Sequence, residues 1–381
     1  MKITWYLCTI FFSIVLLFIG NFYANRLINL DTHEFIYREN IRATITDIIF
    51  IDEHRTTPVI VSDDTLFYNT IITISFLAQL ENGETVSGIQ SISDFIPTPS
   101  RQLQIGDRVI LQYFEVAGHY ELIEFVRINQ IIIFGIVVFA IIILFGKLQG
   151  LNSLVALGFT IAFIFFVFVP AILNGANIYL WAIFVGVYST ITTMMVVIGP
   201  TKKAVSTIVG TLFSIAVISV ITVVMTNILG MTGVVAQESA QLMSDNPNID
   251  LNAIMFAGIV IGAIGAIMDV CMSLSSALFE FSKTEKNSFR EIYTAGISIG
   301  KDILGTMANT LVLAYIGSYL AVILTMTTVY SNNITNIFYR EGIIAELLRA
   351  LAGVSGIFLA IPITTLICAF LYQDKSQHTL Q

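Results

Sequence analysis

Apolar residues in this chain gather into long runs separated by short polar links. The runs lie near 3–20, 129–146, 152–172, 177–198, 204–228, 253–278, 302–328 and 342–371. Each is close to the length that crosses a hydrocarbon layer of about 30 Å as a helix. Eight transmembrane helices are therefore predicted. The links at 147–150 and 174–177 are short, so the helices they join run antiparallel. The polar flank of the first run, from Asn21 to Arg26, has no small-x-small cleavage pattern, which favours a retained anchor over a signal peptide.

Between the first and second runs, at about 31–127, the pattern changes to short β-branched stretches. Residues 41–51 and 70–80 are two of them, and Glu81-Asn82-Gly83-Glu84 follows the second. Asn-Gly after such a stretch predicts a hairpin. Residues 105–114 read as a turn feeding a strand, which pairs with 119–126 across Val116-Ala-Gly118. Several short strands in under a hundred residues predict a small barrel or sandwich, β-barrel/OB-like in kind. The fold class is thus a polytopic α-helical membrane protein with a small extracytoplasmic β domain inserted after the first helix. The expected divisions are an anchor over 1–25, the β domain over 26–128, a seven-helix domain over 129–372 and a cytoplasmic tail over 373–381.

Composition agrees with that pattern. The 381 residues are 56% hydrophobic and 12% charged, with mean hydropathy +0.85. Soluble domains carry about 25% charged residues. The net charge of −8 leaves no basic surface for nucleic acid, and the bilayer is the expected partner. Cys8, Cys271 and Cys368 sit in apolar runs without CxxC spacing, so neither a disulfide framework nor a metal site is expected. His33, His54, His119 and His378 all lie outside the runs, which argues against haem or a histidine relay in the bilayer. No cofactor is expected. There is no GxxxxGK[ST] loop to bind ATP, and no HExxH or GxGD-type aspartate pair to suggest an intramembrane enzyme.

Charge also sets orientation. Lys2, Lys147, Lys202, Lys203, Lys283, Lys286, Arg290 and Lys375 fall on one side of the eight-span arrangement. The alternate links are nearly free of cations, Arg340 and Arg349 excepted. By the positive-inside rule both termini are cytoplasmic and residues 31–127 are extracytoplasmic.

Asp269 is the most informative single position. It lies inside the run at 253–278, where a carboxylate costs roughly 2.5–3.5 kcal/mol on insertion scales and is commonly paired or functional. The next run carries Lys301, Asp302, Thr306, Asn309 and Thr310. Gly258, Gly262 and Gly265 are spaced for close helix approach, with Asp269 one turn beyond. Antiparallel neighbours would let Asp269 and Asn309 face each other, with Thr306 adjacent and Ser273 and Asp302 nearer the cytoplasmic mouth. Carboxylate, amide and hydroxyl oxygens suit a hard cation or a proton. The plainer alternative is a structural hydrogen-bond cluster, or Asp269 paired with Lys301. Lys301 reads either as a snorkelling interfacial charge or as part of a gate. In the last run Glu346 and Arg349 have i,i+3 spacing for an ion pair. Residues 342–371 are long for one straight span. An interfacial helix followed by a helix kinked or broken at Pro362 is expected.

Two stretches, Gly262-Ala-Ile-Gly-Ala-Ile-Met-Asp269-Val-Cys-Met-Ser-Leu-Ser-Ser276 and Ile299-Gly-Lys-Asp302-Ile-Leu-Gly-Thr-Met-Ala-Asn309-Thr-Leu-Val-Leu-Ala-Tyr315, resemble signature stretches of the YibE/F family of bacterial multi-pass membrane proteins. Glu346, Arg349, Gly353 and Pro362-Ile-Thr364 fit the same pattern, and the resemblance covers roughly 130–370. Arg often stands in the family where this chain has Lys301, and Thr where it has Ala308. The resemblance implies a bacterial, Gram-positive cytoplasmic membrane and supplies no function.

The expectation is a transporter or permease coupled to H⁺ or Na⁺, for a small-molecule or ion substrate. Asp269 and Asn309 would bind, Asp302 would guard the mouth, and Glu346 with Arg349 would gate the outer side. The other reading is a membrane-anchored scaffold that docks a membrane or extracytoplasmic protein through its β domain.

Overall fold

The computed structural model describes residues 2–26, 40–55, 59–62, 65–67, 70–93, 101–115, 118–284, 288–329 and 334–373. The turn at Val116 and Ala117, together with Lys286, Lys375 and the tail after Gln373, lies outside them. The chain divides into two compact units, residues 31–141 and residues 1–30 with 142–381.

The first unit holds a closed five-stranded barrel. Its strands are β1 (Asn40–Arg55), β4 (Thr70–Leu80), β5 (Thr85–Ser93), β6 (Arg108–Phe114) and β7 (His119–Phe125), while β2 (Val59–Ser62) and β3 (Thr65–Phe67) form a separate hairpin. The order around the barrel is β1-β4-β5-β7-β6, and β6 returns to β1. Four pairings are antiparallel; β5 with β7 is parallel. Period-two alternation along β4 sends Ile74, Phe76 and Ala78 inward to meet Ile45, Val109 and Leu111. The predicted Asn82-Gly83 turn joins β4 to β5. Gly83 takes φ 88 there, and the Asn82 side chain accepts from the Glu84 amide at 2.9 Å. Gly88 leaves room for a core ring, since a Cβ on it would lie 2.6 Å from Phe76 Cζ.

The second unit is helical. Its elements include α1 (Lys2–Arg26), α2 (Ile128–Phe163, its first arm within the other unit), a π-helical turn (Ile164–Phe168) and α3 (Val169–Leu173). α4 (Ile178–Val197), α5 (Lys202–Ile228), α6 (Gln237–Asp245) and α7 (Leu251–Thr284) follow, then α8 (Phe289–Ser318), α9 (Leu320–Val329) and α10 (Glu341–Tyr372). Among the described residues, six helices are long and apolar enough to cross a membrane, or seven if α8 and α9 are one bent span. Asn177 and Thr201 cap α4 and α5 with side-chain oxygens. Ser288 and Glu291 form a full capping box at the start of α8.

The segment Ile128–Leu173 counts as one apolar helix of 46 residues. Drawn straight at 1.5 Å per residue it would be about 69 Å long, twice a bilayer core. It is not straight. Lys147 sits at φ 49, ψ −132, and the space beside Gly150 Cα is filled by the Ile142 carbonyl. Residues eight apart would be about 12 Å apart along an unbroken helix, so the chain folds back here, at the link predicted between two spans.

Two expectations need correction. The run at 302–328 is not one helix: α8 and α9 meet at a 57° bend. The break follows Gly317-Ser318, and Gly/Ser pairs are a recognised cause of sharp kinks. The last run is not broken at Pro362, because α10 runs unbroken from Glu341 to Tyr372 with Pro362 inside it. Proline removes a single backbone bond, and neighbouring helices can hold such a helix together. α10 is packed against α5, α7 and α8. Its glycines bring those neighbours close: Gly353 meets Leu311 of α8, and Gly356 meets Ile218 of α5 and Ile267 of α7.

Candidate functional site

Asp269 lies on a face of α7 set apart from its buried side. Gly258, Gly262, Gly265, Asp269 and Ser273 are all exposed, whereas Ile259, Val260, Ala263, Ile264, Ile267, Val270, Cys271 and Leu274 are buried. The spacings of three and four keep the exposed set on one stripe. The glycines on this stripe make room for side chains rather than for a neighbouring backbone. Arg349 Nη2 lies 3.5 Å, and the Tyr315 hydroxyl 3.0 Å, from where a Cβ on Gly258 or Gly262 would stand. Beside Gly265 the space is open.

That opening leads into a cavity of about 330 Å³ between the second arm of α2, α4 and α7. Asp269 and Gly265 line it on one side. Ser153 and Thr160 of α2 and Ser189 and Thr193 of α4 supply the facing hydroxyls, and Met268, Met272 and Ile264 are among its apolar walls. Thr160 and Ser189 share a hydrogen bond of 3.1 Å. Thr160 also donates to the Ala156 carbonyl at 3.2 Å, and Ser153 to that of Gln149 at 3.1 Å. Among the described residues Asp269 has no hydrogen bond or ion pair, and no Lys, Arg or His lines the cavity. The site is a lone carboxylate facing four hydroxyls, large enough for a small ligand. Such a set can accept a cation, an ammonium group or a proton. It does not match a transition-metal site, and among the described residues no group of three or more His, Cys, Asp or Glu side chains is placed to hold a metal ion.

The structure distributes the other sequence candidates differently. Asn309, Thr306 and Asp302 sit on the exposed face of α8, turned roughly opposite to Gly300 and Leu311, which pack on Ile361 and Gly353 of α10. Among the described residues no hydrogen bond joins Asn309 to Asp269, and Asn309 is not part of the cavity wall. Thr306 and Thr310 donate back to the carbonyls of Ile303 and Thr306. Lys301 is exposed and makes no ion pair among the described residues, so Asp269 is not its partner. Ser273 continues the Asp269 stripe one turn on, outside the cavity wall.

Glu346 and Arg349 form the i,i+3 ion pair. Arg349 lies 5.9 Å from the centre of the Tyr315 ring, so this pair closes the glycine end of the stripe. Glu346 Oε2 and Arg349 Nε are buried without a further partner. Pro362 is not part of the Asp269 cavity wall. It lies two residues before Thr364, whose hydroxyl donates to Cys271 Sγ at 3.3 Å.

Sequence reasoning missed two features. The hydroxyl wall of the cavity carried a signal, in the i,i+4 pair Ser189 and Thr193 and the i,i+7 pair Ser153 and Thr160, all in runs read as purely apolar. α5 carries the second. Ser206, Thr207, Thr211, Ser214, Ser219, Thr222 and Thr226 are all buried, and the steps 207–211–214 and 219–222–226 have the three- and four-residue spacing of a helix face. Ser206, Ser275 and the Tyr372 hydroxyl join α5, α7 and α10, at 2.6 Å between the serines and 3.2 and 2.9 Å to the tyrosine. Lys202 Nζ donates to the Leu371 carbonyl at 2.8 Å beside them.

The family model described as YibE/F-like protein matches residues 134–374. That interval takes in the second arm of α2 with α4 and α7, and so every wall of the Asp269 cavity, together with α5, α8 and α10. Neither a curated protein nor a solved structure matches the chain.

Proposed function

The chain belongs to the YibE/F-like family, and we propose that it is a membrane transporter coupled to H⁺ or Na⁺, with the Asp269 cavity as its binding site. The observation behind this reading is the unpaired carboxylate of Asp269 in a cavity of about 330 Å³ walled by hydroxyls and methionines. A charge in such a place is costly, and a cationic ligand or a proton offsets that cost. The stripe through Gly265, Gly262 and Gly258 supplies an approach to the site, and the Glu346–Arg349 pair with Tyr315 acts as its gate. Asp302, Thr306 and Asn309 on α8 form a second polar face that meets the site only if α8 turns during the cycle.

In this reading eight helices span the membrane, with the fold-back at Lys147 separating the second from the third and α8 with α9 counting as one. Both termini are cytoplasmic and the barrel is extracytoplasmic, as the lysine distribution supports. A scaffold that docks a partner through the barrel is the second reading, favoured by the exposed row Ile49, Phe50 and Ile51 on β1. The two readings part on one experiment. Purified protein on a solid-supported membrane is challenged with steps in Na⁺, H⁺, amines and small solutes. Transport predicts a transient current for at least one of them. Silence throughout, with a partner captured by the barrel, favours the scaffold.

A further inference from the structure

A second polar cavity lies at the far end of the bundle from Asp269. It occupies about 160 Å³ where the C-terminal end of α5 meets the starts of α4 and α7. Its polar lining comes from Asp250, Asn252, Tyr179, Thr226 and Asn227. Asp250, just before α7, and Asp269 are nineteen positions apart, about 28 Å at 1.5 Å per residue, so the two cavities are distinct.

The groups here are mostly oxygen acceptors. Asp250 accepts from the Ala253 amide at 3.2 Å through one carboxylate oxygen, and from the Tyr179 hydroxyl at 3.5 Å through the other. A carboxylate oxygen has further lone pairs beyond one such bond. Asn252 donates its amide to the Met231 carbonyl at 2.9 Å, which leaves Asn252 Oδ1 as the buried atom with no partner. Thr226 donates its hydroxyl to the Thr222 carbonyl and Asn227 donates an amide N–H to the Val223 carbonyl, both at 2.7 Å, so the Thr226 hydroxyl oxygen and Asn227 Oδ1 remain acceptors. No Lys, Arg or His lines the cavity, and the segment 230–251 contains none. α5 adds the negative end of its dipole, and the N-termini of α4 and α7 oppose it. The only formal charge in the lining is that of Asp250.

We propose that this cavity binds a monovalent cation of the Na⁺ class, held by Asp250, Asn252 Oδ1, Thr226 and Tyr179. Oxygen ligands select a hard cation. A single carboxylate balances one positive charge, whereas tight divalent sites rely on several. An orphaned buried amide oxygen is destabilising, and a cation satisfies it where the apolar walls of Val223 and Phe256 cannot.

The site needs no transport assay, so its failure and the failure of the Asp269 reading are separable. The test is the thermal unfolding midpoint of the purified full chain, titrated with NaCl against choline chloride at constant ionic strength, with ²²Na⁺ binding as a direct readout. Wild type is expected to show a saturable rise with Na⁺ and none with choline. Asp250→Asn keeps an N-cap for α7 but removes the charge, and should weaken Na⁺ at least tenfold. Tyr179→Phe keeps the ring pair with Phe256, whose centroids are 4.9 Å apart, and should weaken it several-fold. Asn252→Leu should abolish it. Equal midpoints in Na⁺ and choline, a Na⁺ shift that survives Asp250→Asn, or a response to Ca²⁺ without one to Na⁺ would each overturn the assignment.

Discussion

Replacing Gly210 by Ala tests the packing that fixes α5 against α7 and α10. A Cβ on Gly210 would overlap the Thr364 hydroxyl, and would sit 3.2 Å from Thr364 Cβ and 3.3 Å from Cys271 Sγ. Threonine is stiff at χ1, so the clash is not relieved by swinging a flexible tip. Overpacking of this kind costs about 1–3 kcal/mol. Displacing the Thr364 hydroxyl also breaks its bond to Cys271 in a fully buried place, which adds about 1 kcal/mol. Alanine returns about 0.5–1 kcal/mol of helix preference over glycine. The net expectation is a loss of about 1–3 kcal/mol, read as a drop of several degrees in the midpoint for loss of the monodisperse peak in detergent. Thr364→Ala removes the clashing atom, so the double variant should be more stable than Gly210→Ala alone. Gly305→Ala on α8 meets nothing within 4 Å and should be neutral or slightly stabilising. If Gly210→Ala is as stable as Gly305→Ala, or if its effect simply adds to that of Thr364→Ala, the packing argument fails.

Other predictions address separate parts of the chain. Phe76→Ala empties the middle of the barrel core, where Phe76 is fully buried, at about 3–5 kcal/mol; limited proteolysis should then open residues 40–125 while the helical unit stays intact. Ser288→Ala removes half of the capping box and should cost about 1 kcal/mol, seen as faster hydrogen exchange in the first turn of α8 and nowhere else. The proposed topology predicts that a cysteine at Ser288 resists an impermeant maleimide in intact cells while one at Glu84 reacts, and the opposite pattern would invert the orientation.

The barrel was legible because its signals are local. Alternation along 70–80 and the Asn82-Gly83 turn need no distant partner to be read. The helical runs were legible from length and hydropathy, but their breaks were not equally so. Lys147 announced a turn because it interrupts an apolar run, whereas Gly317-Ser318 looks like two small residues in any packed span. The break weighed at Pro362 did not occur, since proline ends helices in water far more readily than in a helix enclosed by α5, α7 and α8. Asp269 stood out because of what it costs. Its cavity did not, because the facing hydroxyls come from α2 and α4, and no local signal tells which face of those helices meets α7. Small side chains that bond their own helix, such as Ser153 and Thr160, are silent in a hydropathy profile. Asn309 looked like the natural partner by depth alone, but its face of α8 is fixed by Gly300 and Leu311 packing on α10.

The central claim is that Asp269 acts through its charge in the cavity and not through its place in the packing. Proteoliposome currents or uptake for wild type, Asp269→Asn and Asp269→Leu, at matched reconstitution and with monodispersity checked first, measure this most directly. The account predicts that Asp269→Asn inserts and stays monodisperse yet loses ion-gradient-driven flux. Equal flux in wild type and Asp269→Asn, with Asp269→Leu misfolded, would contradict it and leave Asp269 a structural hydrogen-bonding residue.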